Sequence, residues 1–327
     1  MRRHRWFLTI LAALIAVTLG SVADAGQKKT FTIGISFQQL RDPYFISIVY
    51  GATLAAKERD ARLVIHEAGG YQYVDRQISQ VEDLIQRRVD AIIVMPTNAE
   101  GVAPVVERAI ASGIPAMHMG SRVKSDKMFA FVQSDDAELG ATQARYLAKA
   151  LNEKGNVAYL AGPAGVFWTI DRWKGFESAI KQHSAIKVLN VYWINSTREA
   201  GLKTMEDMLQ AYPQLNAVGS SGDFMATGAA DALKAARKSG KVLLTTVNLQ
   251  KDTEDMVRDG AIQMTAAQQT VMIGKNAVQT ALRYLSKEPY DKHIVIPPIS
   301  VAKEDLGKID LGPIRAPDDF KPKLVYP

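Results

Sequence analysis

No cysteine occurs anywhere in the 327 residues, and this one absence removes thiol catalysis, thiolate metal centres and disulfide staples together. Stability has to come from packing. The glycine-rich turns that cradle phosphates are missing as well: neither GxGxxG nor GxxxxGK[ST] is present, so nucleotide binding has no support from a loop motif. The five histidines, His4, His66, His118, His183 and His293, lie far apart, and none sits in an HExxH arrangement. His66 and His118 fall near strand ends, where a hydrogen-bonded structural role is the better reading. No GxSxG nucleophile elbow exists; Gly219-Ser220-Ser221-Gly222 lacks its spacing and reads as a turn at a strand end. Lys/Arg blocks interleaved with aromatics are absent too, which argues against a nucleic-acid partner. These gaps leave no constellation for an enzyme, no cofactor and no metal, and they direct attention to binding.

What is present begins with an address. Arg2, Arg3 and Arg5 precede a mostly apolar run from Trp6 to Leu19, and Ala23-Asp24-Ala25 is a small-x-small cleavage signal. The pattern predicts a secretory signal peptide over 1–25, cut after Ala25. The apolar run falls short of the roughly 20 residues that span a bilayer. Cleavage removes three basic residues and one acid, taking the formal charge from +6 to +4. The expected location is the periplasm. About 300 remaining residues reach the usual limit of a single core, which favours two lobes.

From Phe31 to about Tyr284, strand-like runs and amphipathic helices alternate, the pattern of βα units on parallel sheets, so the fold class is α/β. Val74, Ile78, Val81, Ile85 and Val89 place one apolar face on a helix. Ala91 to Met95 is a continuous apolar run, as expected of a parallel strand covered on both faces. Thr97 and Glu100 have capping-box spacing, and Gly113 marks the end of the helix that follows. After Gln133-Ser134-Asp135 the same grammar restarts, which gives two Rossmann-like lobes. A strand from His293 to Ser300 comes too late to start a third lobe. The chain is therefore expected to cross between lobes near Ser134, Ala266 and Pro297. The expected lobes are 26–133 with 267–296, and 134–266 with 297–309; residues 310–327 read as an irregular surface tail. In such sheets ligands gather beyond the carboxyl ends of the strands.

Candidate ligand residues stand at those ends. Gln38, Asp42, Tyr44 and Phe45 follow the first strand, and Tyr71 follows the second. Trp168 and Arg172 hold the matching place in the second half, where a flat ring can stack on a ligand and a charged group can fix its polar edge. Tyr44, Phe45 and Trp168 read almost equally as helix core. Asp223 is a ligand group or a helix cap, and Asn248 and Gln268 end late strands with either role open.

Asp42-Pro43-Tyr44-Phe45, Ile93 to Pro96-Thr97, Ser134-Asp135-Asp136, Arg172 to Gly175-Phe176 and Ala267-Gln268 give the chain a resemblance, across nearly its whole mature length, to periplasmic binding proteins of the ribose type. Glu67-Ala68-Gly69-Gly70-Tyr71, with Pro297-Pro298-Ile299 and Phe320-Lys321-Pro322, is similar to the TorT-like branch, which partners a sensor histidine kinase in trimethylamine N-oxide signalling. The resemblance implies two lobes joined by three hinge crossings that close on a small polar ligand: a sugar, a polyol or a methylated amine oxide. It implies an inner-membrane partner, a sensor histidine kinase or alternatively an ABC permease. It also implies sugar contacts at Gln268 and Asn248. Asn248 replaces a carboxylate, however, and Gly120-Ser121 stands where an Asp-Arg pair is expected. For a methylated amine oxide the resemblance implies a set of rings, of which Phe45 keeps one while Asp136 and Asn248 occupy the other positions.

Overall fold

A computed structural model describes residues 29–327; the signal-peptide expectation lies outside them. The chain opens with β1 (Thr32–Phe37), α1 (Pro43–Arg59), β2 (Arg62–Glu67), α2 (Val74–Gln86), β3 (Ala91–Val94), α3 (Ala103–Ala111), β4 (Ala116–Met119) and β5 (Phe131–Ser134). It continues with α4 (Asp136–Ala150), β6 (Lys154–Leu160), α5 (Phe167–Ile180), β7 (Ala185–Tyr192), α6 (Arg198–Ala211), β8 (Ala217–Ser220), α7 (Asp223–Ala235), β9 (Leu243–Val247), α8 (Lys251–Asp259) and β10 (Met264–Ala267). It ends with α9 (Thr270–Leu285), β11 (His293–Ile296), β12 (Ile299–Ala302) and β13 (Val325–Tyr326).

Two sheets result, with strand orders β11-β5-β4-β3-β1-β2-β13 and β12-β10-β9-β8-β6-β7. All pairings are parallel except β13 on β2 and β12 on β10. The expected α/β class with two parallel-sheet lobes is what the chain adopts. Covered on both faces, β3 is buried at every residue, which is why it reads as an unbroken apolar run. One core gathers Ile33, Ile35, Phe37, Ile48, Ile93 and Ile273 around the first sheet, and a second gathers Leu160, Met205, Val218, Met225 and Leu244 around the other.

The chain passes between the sheets after β5, after β10 and between β11 and β12. The run from His293 to Ser300 is thus not one strand but two, one in each sheet. Pro297 and Pro298 supply no N–H to a ladder, and the break falls on them. The tail also differs from a purely irregular surface segment: Ile314 is buried, Tyr326 pairs with Leu63, and Phe320 packs edge-on against Tyr50 at 5.0 Å. The capping box expected at Thr97 and Glu100 does not form. Asn98 instead accepts from the backbone N–H groups of Glu100 and Gly101 at 3.1 and 2.8 Å, and α3 starts later, without a side-chain cap.

Close helix pairing stiffens each lobe. A Cβ on Gly140 of α4 would lie 1.8 Å from the Arg172 carbonyl oxygen of α5, and one on Gly175 would lie 1.8 Å from that of Ala137. Only a residue without a side chain lets the two backbones touch there. The same reciprocal contact joins α1 to α9 through Gly51 and Gly274.

Candidate functional site

The loops after β1, β2, β5, β6, β8, β9 and β10 leave the carboxyl ends of parallel strands, and the candidate residues lie on them or in the first turns of the helices that follow. Asp42 caps α1, its carboxylate accepting from the Tyr44 N–H at 2.8 Å. Burial raises its pKa, and that single hydrogen bond opposes the rise. Tyr44 projects from the first turn of α1 toward Gly120: a Cβ there would lie 3.5 Å from its hydroxyl and 2.1 Å from the Met95 methyl. Gly120 has φ +67°, so glycine serves both the turn and the space beside the Tyr44 hydroxyl. Burial pushes the Tyr44 hydroxyl well above the usual phenol range, with Asp136 adding to the effect and Arg172 opposing it.

Asp136 and Arg172 belong to helices of the second lobe, so their charges are felt at a tyrosine of the first. Arg172, buried on the second turn of α5, donates from Nε to Asp136 at 2.8 Å and from Nη1 to the Ser221 carbonyl at 2.6 Å. Its guanidinium also lies 4.7 Å from the centre of the Trp168 ring, one helical turn earlier, where residues four apart meet. Burial raises the Asp136 pKa despite Arg172 beside it. Tyr71 is half exposed, so water reaches its ring, yet protein surrounds its hydroxyl on most sides. Its pKa is raised by that enclosure and by Asp42, against the pull of Arg172.

Asp223 opens α7 as its first helical residue. The cap position itself is Gly222, which makes no side-chain cap; the Asp223 carboxylate accepts from the Phe224 N–H at 3.1 Å, so it serves the helix start, and the ligand role stays open beside it. Burial lifts its pKa to about 6, and Asp42 across the lobes adds to the rise; hydrogen bonds from Asn248 and from the Asp223 and Phe224 backbone oppose it. Asn248 has a left-handed backbone at φ +66°, a conformation Asn tolerates better than most residues. Its Oδ1 accepts from Gln268 Nε2 at 2.7 Å. Gln268 therefore holds the Asn248 amide, whose influence reaches Asp223.

Two candidates stand apart. Phe45 is 2% exposed and packs edge-on against Phe37 and Tyr44; it offers no ring face to a ligand and belongs to the core. Gln38 is fully buried and donates to the Pro96 carbonyl at 3.0 Å, which makes it a brace behind the site. Sequence reading missed the Ser221 carbonyl, because a main-chain acceptor leaves no residue-type signal. It also missed Gln143, whose Oε1 accepts from Ser220 N and Thr245 Oγ1, each at 3.1 Å, and so ties β8 to β9 behind the site.

Two surface depressions lie elsewhere. One of about 590 Å³ is lined by Pro163, Trp193, Asn195 and Lys203, and another of about 720 Å³ by Asp90, Gly113, Tyr284 and Tyr290. Neither includes a residue of the cluster, so convergent chemistry from both lobes marks the site better than depth does. Among the described residues, no three His, Cys, Asp or Glu side chains gather to hold a metal, and no helix is long and apolar enough to cross a membrane.

Residues 33–289 match the periplasmic binding protein domain. The ribose import binding protein of Bacillus subtilis is 32% identical over 291 residues, covering 89% of this chain and 93% of its own. An ABC transporter solute-binding protein from Bradyrhizobium sp. BTAi1, solved with bound bis-tris, superposes with a TM-score of 0.84 at 29% identity over 91% of this chain and 90% of its own. The periplasmic solute-binding protein of Actinobacillus succinogenes, solved with bound D-allose, gives a TM-score of 0.79 at 29% identity over 84% of this chain and 98% of its own. These relatives are solute-binding proteins and not enzymes.

Proposed function

Because the chain belongs to the periplasmic binding protein family, we propose that it is the solute-binding component of an ABC importer, working in the periplasm on a small polyhydroxylated solute. The observation that carries this reading is the grouping of Asp42, Tyr44 and Tyr71 from one lobe with Asp136, Arg172, Asp223 and Asn248 from the other and with Gln268 on a crossing between them. Carboxylates, amides and a guanidinium offer both donors and acceptors, which hydroxyl groups use at once, while the rings of Trp168 and Tyr44 cover apolar ring or chain edges.

The mechanism follows from the division of the site. A solute that touches both lobes binds the closed arrangement more tightly than the open one, and only this difference in affinity moves the population. Going from mostly open to mostly closed takes about 5.5 kcal/mol of differential affinity, less than the roughly 8 kcal/mol of a micromolar complex. The closed form is then what the membrane partner reads. Sequence resemblance inclined toward a sensor histidine kinase as that partner; the relatives described above are import and transport proteins, and they favour the permease. Ligand identity is tested by thermal unfolding against a panel of pentoses, hexoses and polyols, where a saturating solute raises the midpoint by mass action. The partner is tested by co-purification from membranes. Recovery of an ATPase and permease is expected, and recovery of a histidine kinase alone would overturn the importer reading.

A further inference from the structure

The second sheet opens where the site begins. β8 and β9 pair only as far as Gly219 opposite Thr245. Beyond that point β8 stays with β6: Ser220 lies opposite Leu160, and Ser221 N donates to the Leu160 carbonyl at 2.9 Å. β9 stays with β10: Val247 lies opposite Ala266, and Asn248 N donates to the Ala266 carbonyl at 3.3 Å. The residues just past the split belong to the site. On one side stand Asp223 and Ser221, whose carbonyl holds Arg172 at 2.6 Å, and on the other stands Asn248. One side chain spans the gap. Gln143 Oε1 accepts from Ser220 N, the first N–H past the ladder, and from Oγ1 of Thr245, the last residue of β9 paired with β8, each at 3.1 Å.

Gln143 reaches this place from α4, two turns after Asp136 and on the same face. The helix that presents Asp136 to Arg172 at 2.8 Å therefore also pins the two strands. Gln143 is fully buried, on a helix face otherwise made of Leu139, Gly140, Ala144 and Leu147, and its Nε2 donates weakly, to the Leu139 carbonyl at 3.5 Å. A methionine of similar volume would fill the space without taking an amide out of water. What the position supplies is the acceptor and not the bulk. Resting on the solute-receptor reading for its effect on affinity, we infer that Gln143 is a positioning residue of the solute site. It touches no solute; its amide oxygen sets how far β8 and β9 part, and through them where Arg172, Asp136 and Asn248 stand. The polar groups of the second lobe are then one fixed set before a solute arrives, which lowers the ordering cost of binding.

The test compares three variants of the full chain at about pH 5.5, where a fully buried carboxyl stays protonated. Gln143→Met removes the acceptor and keeps the volume, Gln143→Glu keeps both, and Thr245→Val removes one of the two donors. Hydrogen exchange without solute is expected to quicken about tenfold over 219–223 and 246–249 in the Met variant, over 246–249 alone in the Val variant, and to return toward the parent rate in the Glu variant. Calorimetric titration with D-ribose and with D-allose reads the consequence. Whichever sugar binds the parent is expected to bind the Met variant about tenfold more weakly, and the Glu variant within about twofold of the parent. Exchange that quickens evenly through the second lobe, in step with the denaturant midpoint, would mark Gln143 as a packing residue and overturn the inference, as would local loosening with sugar affinity unchanged. The Met and Val variants decide this without the Glu variant should that one fail to fold. If neither sugar binds the parent, the sugar reading falls, and the exchange pattern still decides whether Gln143 sets the strand ends.

Discussion

A carboxyl group buried without a cationic partner weakens the chain that contains it, and Asp223 is such a group. Its folded pKa of about 6 lies above the unfolded value near 3.9, so the folded state holds the extra proton between those limits. The associated stability is full below about pH 4 and is lost as pH rises through 6, which makes the ionised group a burden of roughly 3 kcal/mol at neutral pH. Asp223→Asn is therefore expected to raise the unfolding midpoint of the ligand-free chain at pH 7.5, with the gain vanishing near pH 4. A constant gain at every pH would mean that the effect comes from packing and not from charge. Phe45 behaves in the opposite way. Buried against Phe37 and Tyr44, it should lose about 3–5 kcal/mol of stability as Phe45→Ala, measured by denaturant titration. Trp168→Ala, by contrast, should mainly weaken solute binding, because that ring is only partly buried and orients the Arg172 guanidinium.

Helices carry the site as pairs. Gly140 of α4 abuts the Arg172 carbonyl, the main chain of the residue that holds Asp136, so packing and binding meet at one point. Gly140→Ala is expected to destabilise the second lobe by about 1–3 kcal/mol through overpacking, and also to weaken solute binding by shifting Arg172. Loss of stability with affinity unchanged would show that α5 yields elsewhere. The contrast between these elements explains what could be read from sequence. Strands such as β3 and β8 were legible because their residues are buried throughout, and the turn to α1 was legible because Asp42 and Pro43 suit a cap and a first turn. α8 escaped notice: Lys251–Asp259 is mostly charged, and Val257 alone among its apolar residues is fully buried. Asp42, Arg172 and Asp223 could be placed near strand ends from their order alone. Phe45 could not be separated from Tyr44, since neighbours on a helix point to different sides and only the packed structure says which side is core.

At the scale of the whole molecule, the segments that cross between the lobes also hold them together. Besides the passages at β5–α4, β10–α9 and β11–β12, the tail runs back from the second sheet to the first and fastens on the way. Val271 N donates to the Pro313 carbonyl at 3.1 Å, Thr270 Oγ1 bonds the Ile314 carbonyl, and Ala316 N donates to Ser47 Oγ of α1 at 3.1 Å. Arg315 reaches the other lobe, pairing with Glu254 of α8 at 2.6 Å with both side chains largely buried. Burial opposes ionisation of Glu254, but hydrogen bonds from Arg315 and Arg258 outweigh it and keep the carboxyl below its usual range. This clasp lies among residues separate from the solute cluster, so it bears on stability more than on recognition. Arg315→Leu removes one partner of a buried pair; because Arg258 remains on Glu254, the loss should be about 1–3 kcal/mol, less than the 3–5 of a fully orphaned charge. Hydrogen exchange should quicken at the start of α8 and over 311–316, while a saturating solute still raises the midpoint as much as in the parent chain. A clasp that instead governed closure would reveal itself by abolishing that solute-dependent rise, and the tail would then have to be counted as part of the hinge.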